Sequence, residues 1–293
     1  MTKPIKSILL VINPVSGGRD KEEIVLKISS FLDENKISYS IFKTTGKNDK
    51  EKIRQEIDKQ KPGALIAVGG DGTVNLAARS ILEKDIPLGI IPFGSANGIA
   101  TELNIPTQPD RALNIIIKGK TRKIDALKIN NKLSLHLSDF GLNANVIYRF
   151  EQDKKRGFMA YVRHYIQEMF SIKGTNYLIR LNGEEKKVKA SMLLIANASR
   201  YGTGVNINPQ GKLDDGHFEL IVIRSYKTKE LIRKVIAFLK GKINHFELIE
   251  RMQTSRAIIK NPARKRLQID GELAGRPKVV EVEILKKKLE VYI

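Results

Sequence analysis

The stretch that most restricts how this chain can fold is Ala64-Leu-Ile-Ala-Val68, followed at once by Gly69-Gly70-Asp71-Gly72-Thr73. Five apolar residues without polar alternation read as a strand buried on both faces, and the glycines end it. Glycine lets backbone N–H groups approach a phosphate closely. A helix starting directly afterwards, over Thr73 to Leu82, turns its positive end to the same place. Asp71 adds a carboxylate at the carboxyl end of the strand, where open α/β sheets bind ligands. Beside phosphates such a group suits Mg²⁺ or a proton. The plain alternative is a tight turn in which Asp71 caps the helix.

The same device occurs twice more. Asn13-Pro14-Val15-Ser16-Gly17-Gly18 follows the apolar run from Ser7 to Asn13, and Pro92-Phe93-Gly94-Ser95-Ala96-Asn97-Gly98 follows Leu88-Gly-Ile-Ile91. Between them lie helical spacings over 21–35 (Ile24, Ile28, Phe31, Leu32) and over 48–60 (Ile53, Ile57), and a strand from Tyr39 to Thr44. Strands separated by helices pair in parallel through right-handed crossovers, which brings all three turns to one edge of the sheet. Neither the Walker pattern nor Gly-x-Gly-x-x-Gly after the first strand is present, which disfavours a P-loop and a Rossmann cofactor site.

The rhythm changes near Lys120-Thr-Arg-Lys123. Period-two alternation then dominates, in Ile124 to Ile129, Leu133 to Leu137 and Tyr177 to Leu181; Met192 to Ala196, Phe218 to Ile223 and Val279 to Leu285 are also strand-like. These predict a mostly antiparallel sheet or sandwich, interrupted by helical patterns at 158–170 and 228–240. The first of these, Phe158 to Phe170, is amphipathic and follows Lys154-Lys155-Arg156. It reads as a core-facing helix or as an interfacial one.

Charge narrows the partners. With 52 Lys+Arg against 32 Asp+Glu the net charge is +20, in clusters at 118–123, 154–156, 186–189, 264–266 and 286–288. Aromatics are only 6%, Trp is absent and no nucleic-acid module is found, so an anionic membrane surface gains over nucleic acid. The absence of cysteine excludes disulfides, Cys-based zinc sites and a thiol nucleophile. His136, His164, His217 and His245 show no metal-ligand spacing and read as structural or exposed, and no Gly-x-Ser-x-Gly elbow supports a serine triad. No apolar run reaches the roughly 20 residues of a membrane span. No signal peptide is expected. A cytoplasmic protein, transiently at the inner face of the membrane, is the expectation.

Taken together, Asn13-Pro-Val-Ser-Gly17, Gly69-Gly-Asp-Gly-Thr73, Gly94-Ser-Ala-Asn97, Lys212-Leu-Asp-Asp-Gly216 and Asp270-Gly-Glu272 resemble the ordered signature of the diacylglycerol kinase-type lipid kinases. That group includes bacterial diacylglycerol and phosphatidylglycerol kinases and sphingoid-base kinases. The resemblance implies a nucleotide-binding α/β domain over 1–122, joined by about 286–293, and a β-rich lipid-binding domain over 123–285, with the site in the cleft between them. It implies ATP and Mg²⁺ as cofactors and a lipid hydroxyl as acceptor. Asn13, Pro14, Val15, Ser16, Gly17, Thr44, Gly70, Asp71, Gly72, Thr73, Val74, Asn75, Leu76 and Ser95 would contact nucleotide. Asp71 and Glu272 would be catalytic, Glu272 as general base. Asp215 with the carbonyls of Lys212 and His217 would hold a structural Mg²⁺, linked to the cleft through Asp125. Many bacterial members carry Asp where this chain has Gly98, which puts that network in question and leans the acceptor toward a sphingoid base. By themselves, Asp214-Asp215-Gly216 and Asp270-Gly271-Glu272 read as turns between strands. An NAD kinase-like enzyme and a non-catalytic nucleotide or anionic-lipid binding protein stay open, and an exposed edge strand leaves room for a homodimer.

Overall fold

Each apolar run of the first half forms a strand, and the polar or glycine break after it releases the chain toward a helix. The computed structural model describes residues 5–14, 21–141, 144–146, 148–149, 174–201, 205–224 and 249–293. In it, β1 (Ser7–Ile12), β2 (Ser38–Lys43), β3 (Ala64–Gly69) and β4 (Leu88–Pro92) pair in parallel in the order β4-β3-β1-β2. The helices α1 (Lys21–Glu34), α2 (Asp49–Gln60) and α3 (Asp71–Ile81) lie between successive strands. All six positions of β3 are buried, whereas the edge strand β2 alternates between half-buried and exposed. A short helix, α4 (Gly98–Glu102), follows the third glycine turn. It leads to α5 (Pro109–Lys118), which has Pro at its first turn and Gly119 at φ 71° closing its end. Gly89 lets α5 lie close on β4, since a Cβ there would meet Ile116 Cδ1 at 2.8 Å.

β5 (Thr121–Ile129) carries the chain into the second domain. It pairs antiparallel with the last strand, Val279–Tyr292, along 126–129 and again along 121–124, with a register shift between Leu285 and Leu289. Val291 of that last strand is also in parallel register with Leu88 of β4, so one long strand joins both halves. The bulge at the shift exposes Lys286, Lys287 and Lys288.

The second domain is antiparallel, as its alternation predicts. Glu184–Ala196 pairs with Thr175–Leu181, Leu137–Phe140 and Phe218–Arg224. Arg256–Lys260 joins Thr175–Leu181 to the last strand. One face buries Phe140, Tyr177, Leu193, Ile195, Phe218 and Ile259, and the other Leu137, Leu194 and Ile221. The helical patterns at 158–170 and 228–240 lie outside the described residues. No helix of the described residues is long and apolar enough to cross a membrane.

One predicted strand is corrected. Leu133 to Leu137 is not continuous: Lys132–Ser134 and Leu137–Phe140 are separate strands. The backbone N–H groups of Leu135, His136 and Leu137 donate to the Asp270 carboxylate instead of to a neighbouring strand. A half-buried carboxylate with three backbone donors competes successfully with the ladder.

Candidate active site

The parallel sheet brings its glycine turns together. The ladder runs on past the strand ends: Thr44 N–H donates to Ile12 O at 2.9 Å, Asn13 N–H to Val68 O at 3.5 Å, and Phe93 N–H to Gly69 O at 2.8 Å. Thr44, Asn13, Gly70 and Phe93 therefore stand side by side along one edge. The second and third turns touch. A Cβ on Gly94 would lie 2.4 Å from Gly70 Cα, which no side chain tolerates. Asn97, at φ 52°, closes the third turn by accepting from Gly94 N–H at 2.8 Å and donating to Gly94 O at 2.9 Å. Ser95 is exposed beside it, and Pro14 is exposed on the first turn. Val15, Ser16 and Gly17 lie outside the described residues.

Helix α3 divides its residues between several tasks. Thr73 N–H and Val74 N–H both donate to Gly70 O, at 2.9 and 3.1 Å, so within the helix the N–H groups of Asp71 and Gly72 are the ones left over at the turn. Asp71 is half-buried and accepts from Ile99 N–H at 3.2 Å, tying the second turn to α4. The Thr73 side chain covers Gly69, where a Cβ would be 2.4 Å from its Oγ1. Val74 and Leu76 pack into the core and offer a ligand only their backbone. Asn75 turns toward the second domain, donating to Asp270 Oδ2 at 2.9 Å and to Leu133 O at 3.3 Å.

The second domain answers with a hairpin. Leu267–Ile269 pairs with Glu272–Leu273 through Asp270 and Gly271, at φ 47° and 90°. Positive φ at both central residues is the type I′ signature, so the plain turn reading of Asp-Gly holds. The turn also sets two carboxylates. Asp270 accepts from Ser134 Oγ (2.7 Å), Leu135 N–H (2.7 Å), His136 N–H (3.1 Å), Leu137 N–H (3.1 Å) and Asn75 Nδ2. Burial raises its pKa, and these donors, which favour the ionised form, limit the rise. Glu272 is exposed, and its Oε1 lies 3.7 Å from where a Cβ on Gly72 would be. Gly72, Asn75, Arg79, Lys132, Leu133, Asp270 and Glu272 line one narrow cleft between the domains. Asp270 is a site residue to which motif reading assigned no role. Its signal was its place one Gly before Glu272.

The loop expected to hold a second metal is fastened from several sides. Asp125 is fully buried; its Oδ2 accepts from Gly216 N–H at 2.7 Å and its Oδ1 from Lys287 N–H at 2.6 Å. Asp214 meets Arg122 with two contacts, Nε at 2.9 Å and Nη2 at 2.7 Å. That hydrogen-bonded guanidinium holds the Asp214 carboxyl below the usual carboxylate range. Asp215 Oδ1 accepts from His217 N–H at 3.0 Å, and Lys212 is exposed. The Lys286 stem covers Gly216, 3.0 Å from where a Cβ would sit. Among the described residues, no three His, Asp or Glu side chains gather to hold a metal.

Near Thr44, Asp49 fixes the turn after β2. Its carboxylate accepts from Thr45 N–H and Oγ1 and from Gly46 N–H at 2.7–3.0 Å. Burial pushes its pKa up, and these donors together outweigh burial and lower it.

Comparison with known proteins follows the same division. Residues 7–129 match the diacylglycerol kinase catalytic domain, and residues 138–293 match the YegS C-terminal NAD kinase beta sandwich-like domain. A diacylglycerol kinase of Bacillus subtilis strain 168 is 24% identical over 92% of this chain and 91% of its own length. One of Staphylococcus aureus strain MRSA252 is 28% identical over 92% and 87%. Two solved structures from Bacillus anthracis strain Sterne, the second a diacylglycerol kinase, share this fold at TM-scores of 0.81 and 0.75. They are 21% and 20% identical, covering 99% of this chain and 98% and 97% of theirs. The chain belongs to the diacylglycerol kinase family with a YegS-type C-terminal domain.

Proposed function

We propose that this family member is an ATP-dependent lipid kinase that transfers the γ-phosphate to a lipid hydroxyl in the cleft between its two domains. The observation that carries the reading is the approach of Glu272, from the second domain, to Gly72 at the start of α3, one residue from Asp71. It sets an acidic group of each domain against one glycine-lined crevice.

The crevice suits a triphosphate. Gly70 and Gly94 leave backbone where side chains would stand, and the first turn of α3 presents N–H groups and the positive end of its dipole. Asp71 is an oxygen donor beside it and suits a hard cation. Mg²⁺, when bound, would neutralise phosphate charge there. The Asp214–His217 loop, held by Arg122 and by the Gly216 N–H bond to Asp125, supplies no group to this transfer. Glu272 takes the proton of the lipid hydroxyl as its oxygen attacks the γ-phosphorus, and the bond to the ADP oxygen breaks. Positioning and charge supply most of the rate, since phosphoryl transfer needs little covalent help. The basic surface draws the protein to an anionic leaflet, where the lipid is.

The test is transfer of radiolabelled γ-phosphate to diacylglycerol, phosphatidylglycerol, ceramide and sphingosine in mixed micelles. A product lipid is expected with one of them, and Asp71→Asn is expected to abolish it while the variant melts like the parent. Wild-type turnover in that variant removes Asp71 from the mechanism, and no product on any lipid removes the function.

A further inference from the structure

His136 sits where the pieces of the site meet. It occupies the break between the strands Lys132–Ser134 and Leu137–Phe140 and is only 9% exposed. Its backbone is held on both sides, the N–H donating to Asp270 Oδ1 at 3.1 Å and the carbonyl accepting from Asn197 N–H at 3.0 Å. Its ring covers Gly98, the first residue of α4. A Cβ at 98 would lie 2.7 Å from Cε1, 2.9 Å from Nδ1 and 3.3 Å from Nε2. Gly98 is flanked by Asn97, which closes the third turn, and by Ile99, whose N–H holds Asp71. A chain of contacts thus runs from Asp71 through Ile99, Gly98, His136 and Asp270 to the hairpin of Glu272. The imidazole ring is its step between the domains.

The ring carries a cost. Nε2 is enclosed and has no hydrogen-bond partner among the described residues. Asp270, the carboxylate that the His136 N–H reaches, is already taken by five donors. An unpaired buried polar atom costs about 1–3 kcal/mol. Leucine, of similar volume, would fill the place without that penalty. Local rules are broken in this way where function uses the group. We propose that His136 is a nucleotide-contacting residue whose Nε2 pairs with an oxygen of the triphosphate once the cleft is loaded. This rests on the reading of the crevice as an ATP site. Anchored at both backbone ends to the second domain, the ring ties that domain's edge to the third glycine turn at Gly98.

Two measurements test it. His136→Leu is expected to melt at or up to about 4 °C above the parent, because the unpaired nitrogen is gone. It is expected to lose about tenfold or more in kcat/KM for Mg-ATP, the worth of a charge-assisted hydrogen bond. His136→Gln, which keeps an N–H donor, should recover part of that loss. A leucine variant with parental kcat/KM overturns the proposal, as does one whose stability and activity fall together. The second measurement is nitrogen NMR of the histidines, with His136 assigned by its loss in the Gln variant. Its Nε2 resonance should move on adding Mg²⁺ with AMP-PNP and not on adding Mg²⁺ alone. A resonance that stays still overturns the proposal even where lipid is phosphorylated. A resonance that moves while no lipid is phosphorylated upholds it and removes the lipid-kinase reading instead.

Discussion

Two carboxylate turns of the second domain, Asp270-Gly271-Glu272 and Asp214-Asp215-Gly216, look alike on paper and are built for different work. Each turn leans on an aspartate filled by donors: half-buried Asp270 by three backbone N–H groups, a serine and an asparagine, and fully buried Asp125 by the N–H groups of Gly216 and Lys287. What each anchor then displays differs. Asp270 holds a hairpin whose Glu272 is exposed and faces the start of a helix in the other domain. Asp125 holds a loop whose acidic residues are met by their own surroundings, Asp214 by Arg122 and Asp215 by the His217 N–H, while the Lys286 stem covers Gly216. A carboxylate placed opposite another domain's glycine turn is free to change partners during a reaction. One already clamped by an arginine is a fastening.

The largest effect should separate the two turns directly. Glu272→Gln is expected to lower turnover by about 10²–10⁴-fold, the range for loss of a general base, in the γ-phosphate transfer assay. Its melting temperature should stay within about 2 °C, because the side chain is exposed. Asp215→Asn should change turnover less than about twofold in the same assay, by the argument that its loop only holds. A reversed ranking would mean that the Asp214–His217 loop, not the hairpin, serves the reaction, and the comparison would break.

A smaller but still large effect tests the anchors. Asp270→Asn keeps one acceptor oxygen and turns an amide NH₂ toward donors that need acceptors. We expect a loss of about 3 kcal/mol or more in urea unfolding, as for a buried charged group stripped of partners. Activity should fall with it, since the hairpin that positions Glu272 is tied down by the same bonds.

Much of this was legible because it is local. Unbroken apolar runs marked β1, β3 and β4, since a strand covered on both faces tolerates no polar alternation. Glycine turns after them marked the crevice, and Gly70 against Gly94 shows why the side chains are missing. Period-two alternation marked the second domain. The helix α5 was not anticipated. Its Pro109 start, its Gly119 stop and its buried Ala112, Leu113 and Ile116 form a pattern at least as clear as the Ile53 and Ile57 of α2, so this helix was legible and was missed. Long-range polar bonds were not legible at all. Nothing in Leu133 to Leu137 announces that its backbone is claimed by a carboxylate more than 130 residues away. For the same reason His136 read, like the other three histidines, as structural or exposed: only the fold puts its ring on Gly98.

The smallest effect concerns the clamp itself and has a definite sign in pH. The Arg122 guanidinium lowers the Asp214 pKa in the folded protein, with lesser help from Lys287 and Lys212 and against some burial. A carboxylate whose folded pKa is depressed gives its stabilisation in full above the unfolded value, near 4, and loses it as pH falls through the folded value. Both side chains are about one-third exposed or more, at 40% and 33%, so solvent screens the pair. It should be worth no more than about 1 kcal/mol. Melting curves of the parent and of Asp214→Asn, taken from pH 7 down to about 3, should therefore differ by only a few degrees at neutrality and converge in acid. Added salt at pH 7 should narrow the same gap. Turnover at pH 7 should be unaffected, because a fastening that costs so little to remove leaves the cleft as it was. A gap that widens as pH falls would mean that Asp214 is held protonated, and the contrast with the hairpin would have to be drawn elsewhere.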